Sequence, residues 1–480
     1  MKLSELLPGL TACNQSALEI TSLVFDSRAA VPGSLYFCIP GNMSDGHLHA
    51  ADAVARGAAA VVAERRTEAQ APHVIVPDCR DALARAAARF HGNPAKKLKL
   101  VGVTGTNGKT TTTYILKSIL EAAGKKTGII GTNAVFIGDE RFDATLTTPD
   151  PTDFHAILAQ MAARGVEYVV MEVSAHALAL RKLNGVRFEV AAFTNFSRDH
   201  LDFFDGMDTY FDAKSKLFTK ELAKACVFNA DDEKGRELAN ACKLPYTTYG
   251  CLNPADVFAI RLSMSVNGLK YVLNLKDDIA EVKFNLPGKF NMYNTLCAAA
   301  VAGALGIPVK KIAAGIRAVK KVDGRFNIIS TGKCSIIVDF AHTDDGLKNI
   351  LSTIREFAPR RVITVFGCGG DRDRSKRPAM GQIVSECSDY CFITSDNPRT
   401  EDPEAILSDI FCGIPENRVT LCRLVSDRRR AILEAVEFAQ DGDIVLVAGK
   451  GAERHTEIGG EKIPYNDEEY IMGLIDQKKI

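Results

Sequence analysis

Short, nearly uninterrupted apolar runs alternate with stretches of helical spacing along most of the chain. Between residues 98 and 325 the runs KLKLVGV, EYVVMEVS, VAAFTN and ACVFNADD each lead into helix-compatible sequence, the first being TTTYILKSILEAAG. Continuous runs of Val, Ile, Ala and Phe, without in-and-out alternation, predict parallel strands covered on both faces. Later in this stretch AIRLSMSVNGLKYVLNL alternates across Asn267-Gly268, which predicts a hairpin, and MYNTLCAAAVAGALG predicts a helix. Beyond residue 325, SIIVDFAH, RRVITVFGCGG, DYCFITSDNPR and GDIVLVAGKG repeat one pattern, a strand closing in a polar loop. Open α/β sheets bind their ligands at such carboxyl ends. Before residue 98 the runs SLVFDSR, SLYFCIP, AAVVAE and HVIVPD are separated by Ala-rich helical stretches, and HGNPAKKLK predicts a linker. The pattern predicts an α/β protein of three domains, 1–97, 98–325 and 326–480, the last of them Rossmann-like.

Composition narrows the partners. Hydrophobic residues make up 46% and charged residues 25% of 480, which excludes a disordered or fibrous chain. Lys plus Arg equals Asp plus Glu at 59 each, so no bulk positive field exists to hold nucleic acid or anionic lipid. No apolar run is long enough to span a bilayer, and MKLSELLPGLTACNQSALEI lacks the basic start and apolar core of a signal peptide. The 13 cysteines are scattered, odd in number and without a C-x-x-C pair. That is the usage of a reducing compartment, where they serve as small core residues, and not of a disulfide framework or a zinc site. The expected setting is cytoplasmic, with small-molecule partners and a monomeric chain.

The strongest chemical signal is GVTGTNGKTTT, residues 102–112, between a predicted strand and a predicted helix. This is the context of a phosphate-binding P-loop. Gly105 and Gly108 let backbone N–H groups approach a polyphosphate, with Thr106 and Asn107 between them. Lys109 supplies a point charge, and Thr110, followed by Thr111, offers a hydroxyl to Mg2+. No Asn-Lys-x-Asp base-reading motif occurs, which favours ATP over GTP. The second domain is therefore expected to be a parallel-sheet ATPase domain. Downstream, Glu172 ends an apolar strand in EVSAH, where a carboxylate facing a P-loop is a natural Mg2+ ligand. His200 lies in FTNFSRDHLDFF and Lys214 in AKSKLF. Taken singly, each of these three is an ordinary solvated or structural residue.

Taken in order, TGTNGKTT, EVSAH, TNFSRDHLDFF, AKSKLF, LPGKFNMYN, GRF, DFAHT, GGDRD and SKRPAM resemble the Mur ligase family over nearly the whole chain. The resemblance implies ATP-driven joining of an amino acid to a UDP-muramoyl peptide. It also implies a central ATP domain, an N-terminal domain for the UDP end and a C-terminal domain for the amino acid. By matching positions, Lys109 meets the phosphates, and Thr110, Glu172, His200 and a carbamylated Lys214 hold Mg2+. Asn294, Arg325 and Asp339 are nucleotide contacts. Ser27 in FDSR, the loop Asn42-Met43-Ser44, Thr147, Thr148, Ser174 and Lys182 face the UDP-muramoyl peptide. Asp396-Asn397-Pro398-Arg399, with Arg372, Gly449 and Glu453, faces the incoming amino acid, implied to be meso-diaminopimelate. A fixed guanidinium suits the carboxylate that distinguishes diaminopimelate from lysine. Leu180, Lys182, Asn327, Asp344 and Ala452 depart from the family pattern. Ligation of another amino acid or of folyl-polyglutamate, and a nucleotide-dependent switch, stand as alternatives.

Overall fold

The computed structural model describes residues 1–9, 16–41, 44–358 and 360–477. Three large sheets follow one another along the chain. The first has four parallel strands in the order Ser22–Val24, Ser34–Phe37, Ala60–Ala63, His73–Ile75, covered by the helix Cys79–Phe90. Asp78 caps that helix by accepting from Asp81 N at 2.9 Å. The stretch predicted as a linker is ordered: Asn93 takes φ +52° and Pro94–Lys97 forms a 3-10 turn with Pro94 buried.

The second sheet has eleven strands, and its interior is parallel. Lys99–Thr104 lies between Phe188–Phe193 and Tyr168–Glu172, continued outward by Ala223–Asn229 and Tyr246–Gly250 on one side and Thr127–Ile130 on the other. Antiparallel strands finish both edges, among them the hairpin Val257–Ser265 and Gly268–Leu275. Separate apolar clusters cover the two faces, as continuous rather than alternating apolar runs require. The hairpin turn sits one residue earlier than its Asn-Gly signal suggested. Ser265 pairs with Gly268, so Val266-Asn267 form the loop and Gly268, at φ +114°, begins the returning strand.

The third sheet is ordered Asn327–Ser330, Ser335–Asp339, Ile444–Ala448, Val362–Phe366, Tyr390–Ile393, Cys422–Leu424. Its first strand is antiparallel and the rest are parallel. The edge strand Asn327–Ser330 was not foreseen, because four residues alternating in burial carry little signal. In both larger sheets the polar loops after the parallel strands emerge at the carboxyl edge.

Behind the phosphate loop, helix Lys109–Ala122 packs against helix Val309–Ala318 at Gly315. A Cβ there would lie 2.3 Å from Ile119 Cα, and Ser118 Oγ donates to the Gly315 carbonyl at 2.7 Å. Backbone cannot yield as a flexible side chain does. Gly315→Ala is therefore expected to destabilise the protein by ~1–3 kcal/mol, read as a lowered urea midpoint with unchanged slope.

Candidate active site

The phosphate loop turns on Gly105 at φ +141° and Gly108 at φ +86°, and helix Lys109–Ala122 starts directly after it. Neither glycine has room for a side chain. A Cβ on Gly105 would stand 1.9 Å from Thr194 Oγ1, and one on Gly108 2.3 Å from Asn294 Oδ1. Asn294 is held in that place by donating through Nδ2 to Asn291 Oδ1 at 3.0 Å. Lys109 Nζ folds back to donate to the Gly105 and Thr106 carbonyls, both at 2.8 Å. Lys214, 1% exposed, donates to the same Gly105 carbonyl at 2.9 Å. Burial lowers the pKa of both ammonium groups; for Lys214, pushed well below the usual lysine range, the neighbouring Lys109 adds to the effect.

Around this pair the other strand ends supply oxygen and nitrogen. Glu172, 1% exposed, accepts from Thr132 N at 2.9 Å and Thr132 Oγ1 at 3.0 Å. Thr148 Oγ1 donates to the Glu172 carbonyl at 2.8 Å and accepts from Ser174 N at 3.0 Å, and Thr147 Oγ1 lies 3.0 Å from Thr132 Oγ1. Arg325 Nη2 donates to Thr110 Oγ1 at 3.0 Å, with its guanidinium 4.4 Å from the Phe340 ring centroid. Burial raises the Asp339 carboxyl pKa, partly offset by Arg325 and by backbone donors from Phe326 and Ala341. His200 takes φ +57°, its backbone N–H donating to Asp199 Oδ1 at 2.9 Å. Burial drives its imidazole well below its ordinary pKa although Asp199 opposes the shift, so the ring is neutral at physiological pH.

Hard oxygens from Thr110 and Glu172 suit Mg2+. Among the described residues no three His, Cys, Asp or Glu side chains cluster as a metal site by themselves.

The third sheet faces this group across a cleft of about 910 Å³. Asn397 Oδ1 accepts from Lys450 Nζ and from Glu457 N, both at 2.9 Å, while its Nδ2 donates to Glu453 Oε2 at 2.9 Å. Asp396 Oδ2 leaves no room for a side chain on Gly449, where a Cβ would lie 2.6 Å away. Arg399 takes φ +53° and donates through Nε to Glu457 Oε2 at 3.0 Å and through Nη1 to the Gly370 carbonyl at 2.6 Å. Three charge pairs join the segment Arg198–Asp202 on one side to Arg372–Lys376 on the other: Arg198–Asp373 at 3.4 Å, Asp199–Lys376 at 3.7 Å and Asp202–Arg372 at 3.5 Å.

Of the residues singled out in the sequence, one cleft is lined by Thr106, Asn107, Gly108, Lys109, Thr110, Thr111, Thr147, Thr148, Glu172, Ser174, Lys182, His200, Lys214, Asn294, Arg325, Asp339, Arg372, Asp396, Asn397, Arg399, Gly449 and Glu453. Gly105 and Pro398 lie in its loops without lining it. Ser27 begins the 3-10 turn Ser27–Ala29 and Ser44 lies in the loop after the strand Ser34–Phe37, neither in the cleft lining; Asn42 and Met43 lie outside the described residues. Lys182 is paired with Asp150 at 2.7 Å. The departures settle into structure: Asp344 opens helix Asp344–Phe357, where a negative charge is favourable, and Asn327 donates to Glu468 Oε2 at 3.1 Å. The Ala452 backbone lies close against Gly324, where a Cβ would stand 2.1 Å from Ala452 N. Lys450, fully buried, and Lys376 were passed over, although both sit in quoted motifs directly after strand-end glycines or at a helix start.

Three family models cover most of the chain: "Mur ligase family, catalytic domain" over residues 19–91, "Mur ligase middle domain" over 103–302, and "Mur ligase, glutamate ligase domain" over 324–451. The chain is 42% identical to the UDP-N-acetylmuramoyl-L-alanyl-D-glutamate--2,6-diaminopimelate ligase of Syntrophomonas wolfei, covering 100% of both chains. The chain belongs to the Mur ligase family. A second Mur ligase with the same description, from Geobacillus kaustophilus, is 42% identical over 98% of each chain. A solved structure of an enzyme of that description superposes with a TM-score of 0.69 at 29% identity, covering 100% of this chain and 99% of that one. As a Mur ligase the chain is an ATP-dependent, amide-forming enzyme.

Gly108→Ala should weaken binding of a non-hydrolysable ATP analogue about tenfold, since left-handed strain alone costs ~1–2 kcal/mol. Isothermal titration checks it, with circular dichroism confirming the fold.

Proposed function

We propose that this Mur ligase adds meso-diaminopimelate to UDP-N-acetylmuramoyl-L-alanyl-D-glutamate, forming the UDP-muramoyl tripeptide with ADP and phosphate as co-products. One observation carries the reading: the phosphate loop, with Lys109 and Lys214 on the Gly105 carbonyl, opens onto the same cleft as Asn397 and Arg399. Full-length identity to relatives described as 2,6-diaminopimelate ligases supports the choice of amino acid. In this proposal residues 1–97 hold the UDP end through Ser27 and Ser44, 98–325 hold ATP, and 326–480 present the amino acid. The setting is cytoplasmic precursor synthesis by a monomer. Among the described residues no helix is long and apolar enough to cross a membrane.

A carboxylate is a poor electrophile and must be activated. The D-glutamyl γ-carboxylate oxygen attacks the γ-phosphorus, the bond from that phosphorus to the β–γ bridging oxygen breaks, and ADP leaves. The amine of diaminopimelate then attacks the acyl carbon, giving a tetrahedral intermediate. Collapse of the intermediate breaks the acyl C–O bond, expels phosphate and leaves the amide after loss of a proton. Two anions must meet in the first step. Lys109 neutralises the phosphate oxygens, and Arg325, released from Thr110, is within reach to add a second cation. Thr147, Thr148 and Ser174, knitted to the end of the Glu172 strand, hold the muramoyl peptide in line. Asn294 and Asp339 orient the nucleotide from opposite sides. Asp396 and Glu453 receive the distal ammonium of the amino acid, and Arg372 and Arg399 its carboxylate.

Thr110, Glu172 and His200, with Lys214 as its carbamate, would hold Mg2+, whose chemistry when bound is to screen charge between carboxylate and phosphate. Lys214 is suited to that modification because burial lowers the pKa of its ammonium and so favours the neutral amine, the form that adds to CO2 with loss of one proton.

The expected outcome is ADP release only when ATP, UDP-muramoyl dipeptide and meso-diaminopimelate are all present, with the tripeptide mass appearing in step. Equal turnover with L-lysine would overturn the amino-acid choice and leave the ligase chemistry standing. Lys214→Ala should cut kcat by about 100-fold or more and regain part of it with added acetate or formate, since removing a buried charge-stabilising group costs several kcal/mol. Failure of any small carboxylate to restore rate would overturn the carbamate role.

A further inference from the structure

The third sheet carries a hairpin, His455–Ile458 and Glu461–Pro464, turning on Gly459 at φ +59° and Gly460 at φ +84°. Two adjacent positive-φ glycines match the tight two-residue turn that keeps the right-handed twist of a hairpin. Its outer strand is exposed and its inner strand docks on the loop Asp396–Arg399. Arg399 N donates to the Glu457 carbonyl at 3.0 Å, Gly459 N donates to the Arg399 carbonyl at 2.7 Å, and Glu457 N donates to Asn397 Oδ1 at 2.9 Å. These bonds explain how Arg399, a bulky residue, is kept at φ +53°, a conformation that L side chains rarely adopt.

The side chain of Glu457 completes the arrangement. Its Oε2 accepts from Arg399 Nε at 3.0 Å while the Gly370 carbonyl accepts from Nη1 at 2.6 Å. Arg399 Nη2 has no hydrogen-bond partner among the described residues, and Arg399 lines the cleft whereas Glu457 does not. The guanidinium is thus fixed at two of its three nitrogens, with the third left for a ligand. A carboxylate grips arginine either side-on, through Nε and Nη2, or end-on, through the two Nη atoms. With Nε and Nη1 both donating to protein acceptors, Nη2 is the nitrogen left to meet a carboxylate. Arg372 and Arg399 line the cleft together with Asp396 and Glu453, so both signs of charge face a ligand. That balance suits a zwitterionic group, a carboxylate and an ammonium on one carbon, better than a bare ammonium.

We propose that Glu457 is a positioning residue for amino-acid selection: it fixes Arg399 in the orientation that receives the distal carboxylate of the substrate. The proposal rests on the reading of Arg399 as a contact to the incoming amino acid. Glu457 acts through Arg399 and touches no reacting atom, so it serves uniform binding of the amino acid and not the chemical step.

The test compares Glu457→Ala and Glu457→Gln with wild type in steady-state assays varying meso-diaminopimelate, ATP and UDP-muramoyl dipeptide separately, with L-lysine as competitor. Glu457→Ala should raise the KM for meso-diaminopimelate about tenfold, the scale of a lost hydrogen bond to a charged group. Its kcat and the other two KM values should hold within about twofold, and discrimination against L-lysine should fall by the same factor. Glu457→Gln keeps an acceptor oxygen for Nε and should recover to within about threefold of wild type. An unchanged KM for meso-diaminopimelate in Glu457→Ala would overturn the proposal. So would a parallel rise in all three KM values, the signature of a merely structural role, or a Gln variant no better than Ala. Wild-type turnover is the control for the reaction itself. If wild type joins a different amino acid, the substrate assignment fails, and the same variants read on that amino acid still decide the role of Glu457.

Discussion

Two lysine ammonium groups share one backbone carbonyl at the carboxyl edge of the central sheet. Lys109 and Lys214 both donate to Gly105 O, and both are buried. Like charges in a poorly solvated place are costly unless an anion arrives or one of them gives up its proton. The site is therefore set up to need either a polyphosphate or a neutral amine, and the rest of the cleft follows from that need. The loop glycines have no room for side chains because Thr194 and Asn294 press against them from neighbouring elements. Glu172, at the next strand end, brings negative charge into the same region.

A cleft of this kind cannot be built by one sheet. The phosphate loop, Glu172 and His200 come from the second sheet, and Asn397, Arg399 and Glu453 from the third. The segment Arg198–Asp202 carries one metal-ligand candidate, His200, and the segment Arg372–Lys376 carries one amino-acid contact candidate, Arg372. Alternating charges join the two segments in three pairs. Two of the pairs are partly exposed and contribute little stability individually, while Asp199–Lys376 is buried. Their consequence is geometric: they tie the segment that carries His200 to the segment that carries Arg372.

The two halves of the proposed chemistry make different demands on the chain. Binding a triphosphate needs backbone N–H groups and one point charge, which a short contiguous loop supplies. Choosing among amino acids needs a guanidinium held at a fixed angle, and that takes three separated segments. Gly370, Glu457 and the loop Asp396–Arg399 each contribute one restraint. Such over-determination is also what permits a left-handed Arg399.

Much of this was legible in the chain as written. The parallel strands announced themselves because burial on both faces demands unbroken apolar runs, and the phosphate loop because only glycine tolerates its backbone and its neighbours. Those are short-range requirements, printed within ten or so residues. The hairpin turn was displaced by one residue and the strand Asn327–Ser330 escaped notice, since both depend on which partner strand lies alongside. The motif order pointed to the family, yet no motif tells that Lys214 meets a carbonyl 109 residues away or that Arg399 leans on a glutamate 58 residues on. Glu457 has no local mark at all. Chain connectivity encodes what a residue and its immediate neighbours can tolerate; which distant charges come to share a buried space is settled by packing, because only there does water leave and the energy of a pair depend on its surroundings.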